Sequence, residues 1–222
     1  MAGAGGAHAP AAAAAAAAAE AATATRRATR ERATKETQVS VSLALDGAGE
    51  GQSATGITTL DAFLDAVRER SRVSAHVRAA GDLWIDDHHT AEDVSLSIGQ
   101  CLAEALGDKA GLNRMGSATA TRGDSTVEVV MDLSNRPSMV SDLDFDADNI
   151  GDLSAEMVEH VFMSLTTTAG ITMHVATHKE GSSDEDRLLA AADALGECLR
   201  QCTDIDPRRA GKVASSKGTL SA

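Results

Sequence analysis

The chain has 222 residues, length for one large domain or two small ones. Asp and Glu number 33 against 20 Lys and Arg, a formal charge of −13 that argues against general binding to nucleic acid or an anionic membrane. Aromatics are 2% of residues, namely Phe63, Trp84, Phe145 and Phe162, so a core must be built from Val, Leu, Ile, Met and Ala.

Residues 1–25 are dominated by Ala, Gly and Thr and have no apolar face to pack. Arg26, Arg27, Arg30 and Arg32 follow, so the segment reads equally as an organelle transit peptide or as an alanine tail. No apolar run approaches the ~18 residues of a membrane span. Cys101, Cys198 and Cys202 cannot all pair and fit no zinc spacing, which points to a reducing compartment.

From Glu36 the composition is that of a folded domain. Val39, Val41, Leu43 and Leu45 alternate, which predicts a half-buried strand over 38–45, followed by a loop over 46–56. Leu60, Phe63, Leu64 and Val67 fall at helical spacing and predict a helix over 60–71. A strand pair is predicted over 74–80 and 82–86, around Gly81, and a second helix over 89–106 with Gly107 as its C-cap. The order then repeats. A strand is predicted over 125–134, a helix over 154–168, a strand over 170–176, and a final helix whose stripe runs from Leu188 to Cys202.

The two halves superpose on paper. His76-Val77 matches His174-Val175, and Asp87 and Asp184 each open an apolar helix. The fold class is therefore α+β, a duplicated strand–helix unit with helices covering antiparallel sheets. A half of ~90 residues is small for its own core, so the halves are expected to pack as one body. The expected limits are about 36–110 and 111–205 within a folded region of 27–220, the halves meeting near 107–116, with a tail over 206–222.

The strongest chemical signal is DDHHTAED, residues 86–93. His88 and His89 stand four and three residues before Glu92, so two imidazoles and a carboxylate project from one helical turn. That is a partial shell for a divalent metal such as Mn, Fe or Zn, and other ligands must come from elsewhere. The same residues read alternatively as helix-dipole partners. SSKG at 215–218, with Ser216 and Lys217, and the guanidinium groups of Arg114 and Arg136 are candidates for holding a phosphate, against the plainer reading of a tail and surface charges.

These stretches carry a resemblance. TKET (34–37), LDG (45–47), TGI (55–57), FLD (63–65), GDLWIDDHHTAEDVSLSIG (81–99), ALGDKAGLNRMG (105–116), DLSNRP (132–137), AGITMHV (169–175) and SSKGTL (215–220) resemble imidazoleglycerol-phosphate dehydratase, in family order over almost the whole of 27–220. The resemblance implies a duplicated fold like domain 2 of ribosomal protein S5, assembly into a 24-subunit shell, and two manganese ions per subunit at interfaces. It implies dehydration of imidazole glycerol phosphate to imidazole acetol phosphate in L-histidine biosynthesis, without nucleic-acid or membrane partners. Location follows as cytoplasmic, or plastid if the leader is a transit peptide.

Carried over by position, His88, His89, Glu92 and His174 match metal ligands, Glu36 the catalytic acid–base, and Arg114, Arg136, Ser216 and Lys217 the phosphate grip. The departures concern the same machinery. Ala62 stands where the family has a ligand histidine, and Ala66 replaces a glutamine. Arg122, Gly123 and Asp124 replace Met-Asp-Glu, and Glu185, Asp186 and Leu189 stand at the second-half His-His and Glu positions. Glu185 and Asp186 offer only hard oxygen donors. The expectation is at most one weakly held manganese and catalysis impaired or lost. The alternatives are an inactive paralogue with a structural role and a subunit that binds a phosphorylated ligand.

Overall fold

A computed structural model describes residues 26–220; the Ala-rich leader read from the sequence lies outside them. The first half runs β1 (Arg27–Ala33), β2 (Thr37–Ala44), β3 (Gly51–Ala54), α1 (Thr58–Ser71), β4 (Ser74–Gly81) and α2 (His88–Leu106). The second runs β5 (Met115–Arg122), β6 (Ser125–Asp132), β7 (Ser138–Ser141), α3 (Ala155–Ala169), β10 (Thr172–Lys179) and α4 (Asp184–Thr203). It adds a small hairpin, β8 (Asn149–Ile150) with β9 (Leu153–Ser154), before α3, and a 3-10 turn, Pro207–Arg209, after α4.

The sheets have the same topology, β1-β2-β4-β3 and β5-β6-β10-β7. In each the last edge strand runs parallel to its neighbour and the other pairs are antiparallel. His76 and His174 are both the third residue of an eight-residue strand, as the superposition of the halves requires. The duplicated α+β unit is thus present in the chain's topology.

Central strands follow their sequence pattern. In β2, Val39, Val41 and Leu43 are buried, and in β6, Val127, Val129 and Met131. The edge strands differ from expectation. Residues 51–54, read as loop, form β3, and β1 and β5 carry no apolar alternation, each burying only one alanine, Ala28 and Ala118. An edge strand has one paired neighbour and partial cover, so charged and small residues suffice there. The predicted strand at 82–86 is a turn instead. Ile85 N donates to the Asp82 carbonyl at 2.8 Å, and Leu83, Trp84 and Ile85 are exposed. Three consecutive apolar residues give no period of two, and the turn carries the chain from β4 into α2.

Helices join the halves. α2 packs on α3 and α1 on α4, and one buried cluster takes residues from both sheets. Phe63 and Phe162 meet edge to face across the halves, with ring centroids 5.5 Å apart. A fully buried side chain of this size contributes about 1.5–3 kcal/mol. The helix pairs come close at equivalent glycines. A Cβ on Gly99 of α2 would stand 2.8 Å from the Leu165 carbonyl, and one on Gly196 of α4 would stand 2.6 Å from the Val67 carbonyl. Both glycines lie mid-helix, where alanine is intrinsically better by about 1 kcal/mol.

Gly99→Ala and Gly196→Ala should therefore each lower stability, by about 1–3 kcal/mol. Urea unfolding checks this. Equal or greater stability in both variants would show that the helix pairs can move apart at no cost.

Candidate functional site

The first-half residues gather at one end of their sheet. Gly81, the last residue of β4, pairs with Thr37, which follows Glu36 at the β1–β2 turn. The 82–86 turn then delivers α2, and His88 N donates to Asp86 Oδ1 at 3.0 Å. Asp87, just ahead of α2, accepts from Ser154 N at 2.6 Å and from Ser154 Oγ at 2.9 Å, which ties the head of α2 to α3.

His89 Nδ1 lies 3.2 Å from the carboxylate of Asp82, which is only 4% exposed. That bond raises the His89 pKa against the opposing pull of desolvation, and the charges of Asp82, Glu36 and Asp86 add to it. A neutral His89 ring that donates Nδ1–H to Asp82 keeps its lone pair on Nε2, the tautomer of a metal-binding imidazole. The His88 ring lies 6.2 Å from that of His89 and 5.1 Å from that of His160 on α3. Glu92 is half-buried one turn along α2, and Glu36 is exposed.

His174 is elsewhere. It is exposed on the outer face of the second sheet, in an open hollow of about 450 Å³ that also takes in Met115, Val130, Asp132, Thr172 and Gln201. Asp132 accepts from Arg114 Nε at 2.6 Å and from Nη2 at 2.8 Å, while Arg114 Nη1 donates to the Ala214 carbonyl at 2.6 Å. Arg136 Nη2 is 4.0 Å from the same carboxylate. Bridging of Ala110 with Val213 holds the C-terminal segment alongside. Arg114, Arg136 and the segment bearing exposed Ser216 and Lys217 are therefore brought to the border of the hollow that contains His174. Within one chain His174 does not join the His88–His89–Glu92 turn, and among the described residues no three His, Cys, Asp or Glu side chains converge as a metal group.

At the equivalent end of the second half one carboxylate, Asp184, is engaged internally. Asp184 accepts from Ala147 N at 2.9 Å and pairs with buried Arg187 at 3.2 Å. Asp186 lies against Gly123, its own N–H bonded to Ser183 Oγ at 3.2 Å, and Glu185 is exposed. Leu189 packs against the core, and Ala62 is exposed on α1. These acids fit the first turn of a helix, where they face its positive end. As a donor set they offer hard carboxylate oxygens and no imidazole, a set with little selectivity for manganese, and Leu189 and Ala62 offer no donor.

Arg122 has taken a structural role. With Arg70 of α1 it grips Asp193 of α4, Arg122 Nε at 2.6 Å and Arg70 Nε at 3.0 Å, around a carboxylate 2% exposed. Burial raises the Asp193 pKa, but the bonds from Arg122 and Arg70 outweigh it and hold the group below 3.8. The sequence did not single out Asp82, His160, Asp132 or Asp193. Asp82 alone carried a local signal, an acid just ahead of a paired-histidine turn.

Comparison with known proteins gives the family and the fold. A family model for imidazoleglycerol-phosphate dehydratase matches residues 55–199. The chain is 43% identical over 176 residues to the chloroplastic imidazoleglycerol-phosphate dehydratase of Pisum sativum, covering 79% of this chain and 62% of that protein. Over 175 residues it is also 43% identical to the Paracoccus denitrificans protein, covering 79% of this chain and 89% of that one. The chain thus spans under two thirds of its pea relative. The Staphylococcus aureus dehydratase structure superposes with a TM-score of 0.73 at 25% identity, over 81% of this chain and 99% of that one. The Pyrococcus furiosus structure, in complex with (S)-C348, gives 0.73 at 27% identity over 86% and 99%.

Asp193→Asn should cost about 2–3 kcal/mol at neutral pH, less than a fully buried pair because both guanidinium groups stay partly in water. The folded pKa of Asp193 lies below its unfolded value of 3.8, so the parent's advantage is complete above that value and is lost as pH falls through the folded pKa. Denaturation of parent and variant across acid pH checks it; a pH-independent difference contradicts the ion-pair account.

Proposed function

The chain belongs to the imidazoleglycerol-phosphate dehydratase family, and we propose that it binds the phosphorylated imidazole substrate of that family with catalysis reduced or lost. The observation that carries this is the division of the retained groups. One set, His88, His89 and Glu92, stands on a turn whose His89 is oriented by Asp82. The other, His174, shares a hollow bordered by the Arg114–Asp132 pair. Each is half of a site, so a second copy of the chain completes it, with the head of α2 from one copy facing the outer sheet of another.

The retained donors suit manganese, mixing imidazole nitrogen with carboxylate oxygen. Bound there, the metal would supply charge stabilisation to the imidazole ring of the substrate. Glu36, exposed at the β1–β2 turn, is the group to take and return the proton. Arg114 and Arg136, with Ser216 and Lys217, hold the phosphate, and Asp132 keeps the Arg114 guanidinium aimed. The second-half acids add no usable shell, which supports reduced rather than full activity and makes an inactive binding subunit the second reading. The name of the pea relative specifies the chloroplast, which supports a plastid location; among the described residues no helix is long and apolar enough to cross a membrane.

Purified full chain should hold no more than one manganese per subunit and turn over imidazole glycerol phosphate slowly or not at all. Metal analysis with a dehydration assay decides; two tightly held ions and fast turnover would refute the reading. Asp82→Asn should weaken manganese binding about 10–100-fold by calorimetry. Trp84, 84% exposed beside this turn, reports assembly: its emission should shift to the blue as copies associate.

A further inference from the structure

The turn between β6 and β7 presents Arg136, and its backbone is suspended at several points. Asn135 N donates to the Gly170 carbonyl at 2.8 Å. Arg136 N donates to Ser134 Oγ at 3.1 Å, and Thr172 Oγ1 donates to the Arg136 carbonyl at 2.8 Å. From beneath comes Lys109, 3% exposed, whose Nζ donates to the Leu133 carbonyl at 3.1 Å and to Asn135 Oδ1. Both partners are neutral oxygens. Asp132 and Arg114 act on the amine only through space.

Backbone strain is concentrated at the same place. Among the described residues four non-glycine residues have positive φ, and three of them are Lys109 at 61°, Arg114 at 74° and Asn135 at 56°. Such conformations cost about 1–3 kcal/mol each and persist where the surroundings hold them. A buried amine with uncharged partners is a second cost, because it has left water without an opposite charge in contact. Here both costs converge beneath one arginine.

We infer that Lys109 is a positioning residue of the phosphate pocket: its buried amine fixes the turn that presents Arg136 and adds a positive charge bonded only to neutral oxygens. The inference rests on the phosphate-binding reading above. One carboxylate, Asp132, then faces Arg114, Arg136 and Lys109, leaving the pocket with an excess of positive charge toward a dianion.

Inorganic phosphate is the probe, titrated calorimetrically into the full chain, with thermal unfolding and manganese titration alongside. Lys109→Met should raise the phosphate Kd about tenfold and leave manganese binding unchanged. Lys109→Arg, which keeps charge and donors, should recover most of the loss. Burial lowers the Lys109 pKa to about 8, with Asp132 raising it and Arg114 lowering it. The parent's phosphate affinity should therefore fall as pH rises through about 8 more steeply than that of Lys109→Met, a difference that a purely structural lysine would not produce. A folded Lys109→Met with the parent's phosphate affinity and pH profile overturns the inference. If that variant does not fold, Asn135→Ala removes one acceptor and keeps the charge; about threefold weaker phosphate binding is expected, and unchanged binding overturns the inference. A parent chain that binds no phosphate overturns the pocket reading itself, and this inference with it.

Discussion

Close helix contact across the pseudo-twofold is the constraint on which the molecule depends. Each four-stranded sheet has one apolar face, and each half supplies only two helices to cover it. Those helices pack on their own sheets and also against a helix of the other half. Gly99 and Gly196 permit the approach and Phe63 against Phe162 fills its centre. With so few aromatics, the core is built from short side chains at narrow helix spacing rather than from large rings. Alanines 190, 191, 192 and 194 of α4 are accordingly all buried.

A duplicated scaffold presents two equivalent ends, and in this chain their side chains differ. At the first, the β1–β2 turn, the Asp82 turn and the head of α2 bring Glu36, Asp82 and His89 together. At the second, the β5–β6 turn and the head of α4 carry Arg122, Gly123 and Asp186. Arg122 there is bonded to Asp193, and Asp184 and Arg187 to the loop of residues 144–147. The same backbone serves both. What differs is whether the side chains are left facing outward or are tied inward. Arg122 shows the exchange most directly, since it now anchors α4 to the first half through Asp193. Placing His, His and Glu at positions 185, 186 and 189 would set a carboxylate where Leu189 packs against the core and an imidazole against Gly123, so the difference from the family pattern reaches beyond ligand identity.

The cationic border of the second sheet depends on buried charge in a different way. Arg114 is fixed by a bidentate carboxylate and Arg136 by the suspension of its turn. Asp132 partly neutralises them, whereas the Lys109 amine has only neutral oxygens in contact. On the proposed phosphate-binding reading, a pocket built this way keeps its guanidinium groups in place before the anion arrives, so less side-chain entropy is lost on binding.

Sequence pattern alone determined the four central strands, the four helices and the duplication, because strands with two neighbours and helices with one buried stripe must repeat their apolar residues at a fixed period. Val39, Val41 and Leu43, or Leu60, Phe63 and Val67, could not be arranged otherwise and still be covered. It also marked the His88–His89–Glu92 turn, since three donors within five residues share a helical face. The edge strands were not legible, because pairing with one neighbour imposes no apolar period on residues such as those of β1, β3 and β5. Nor was the turn at 82–86, where exposed Leu83, Trp84 and Ile85 resemble a buried strand in composition. Only the tertiary structure decided that Asp82 orients His89, that Lys109 lies beneath the turn bearing Arg136, and that His174 stands apart from the other histidines. Each of these joins segments whose relative placement is set by sheet order and helix packing, and such long-range proximity leaves no periodic trace in a single chain's sequence.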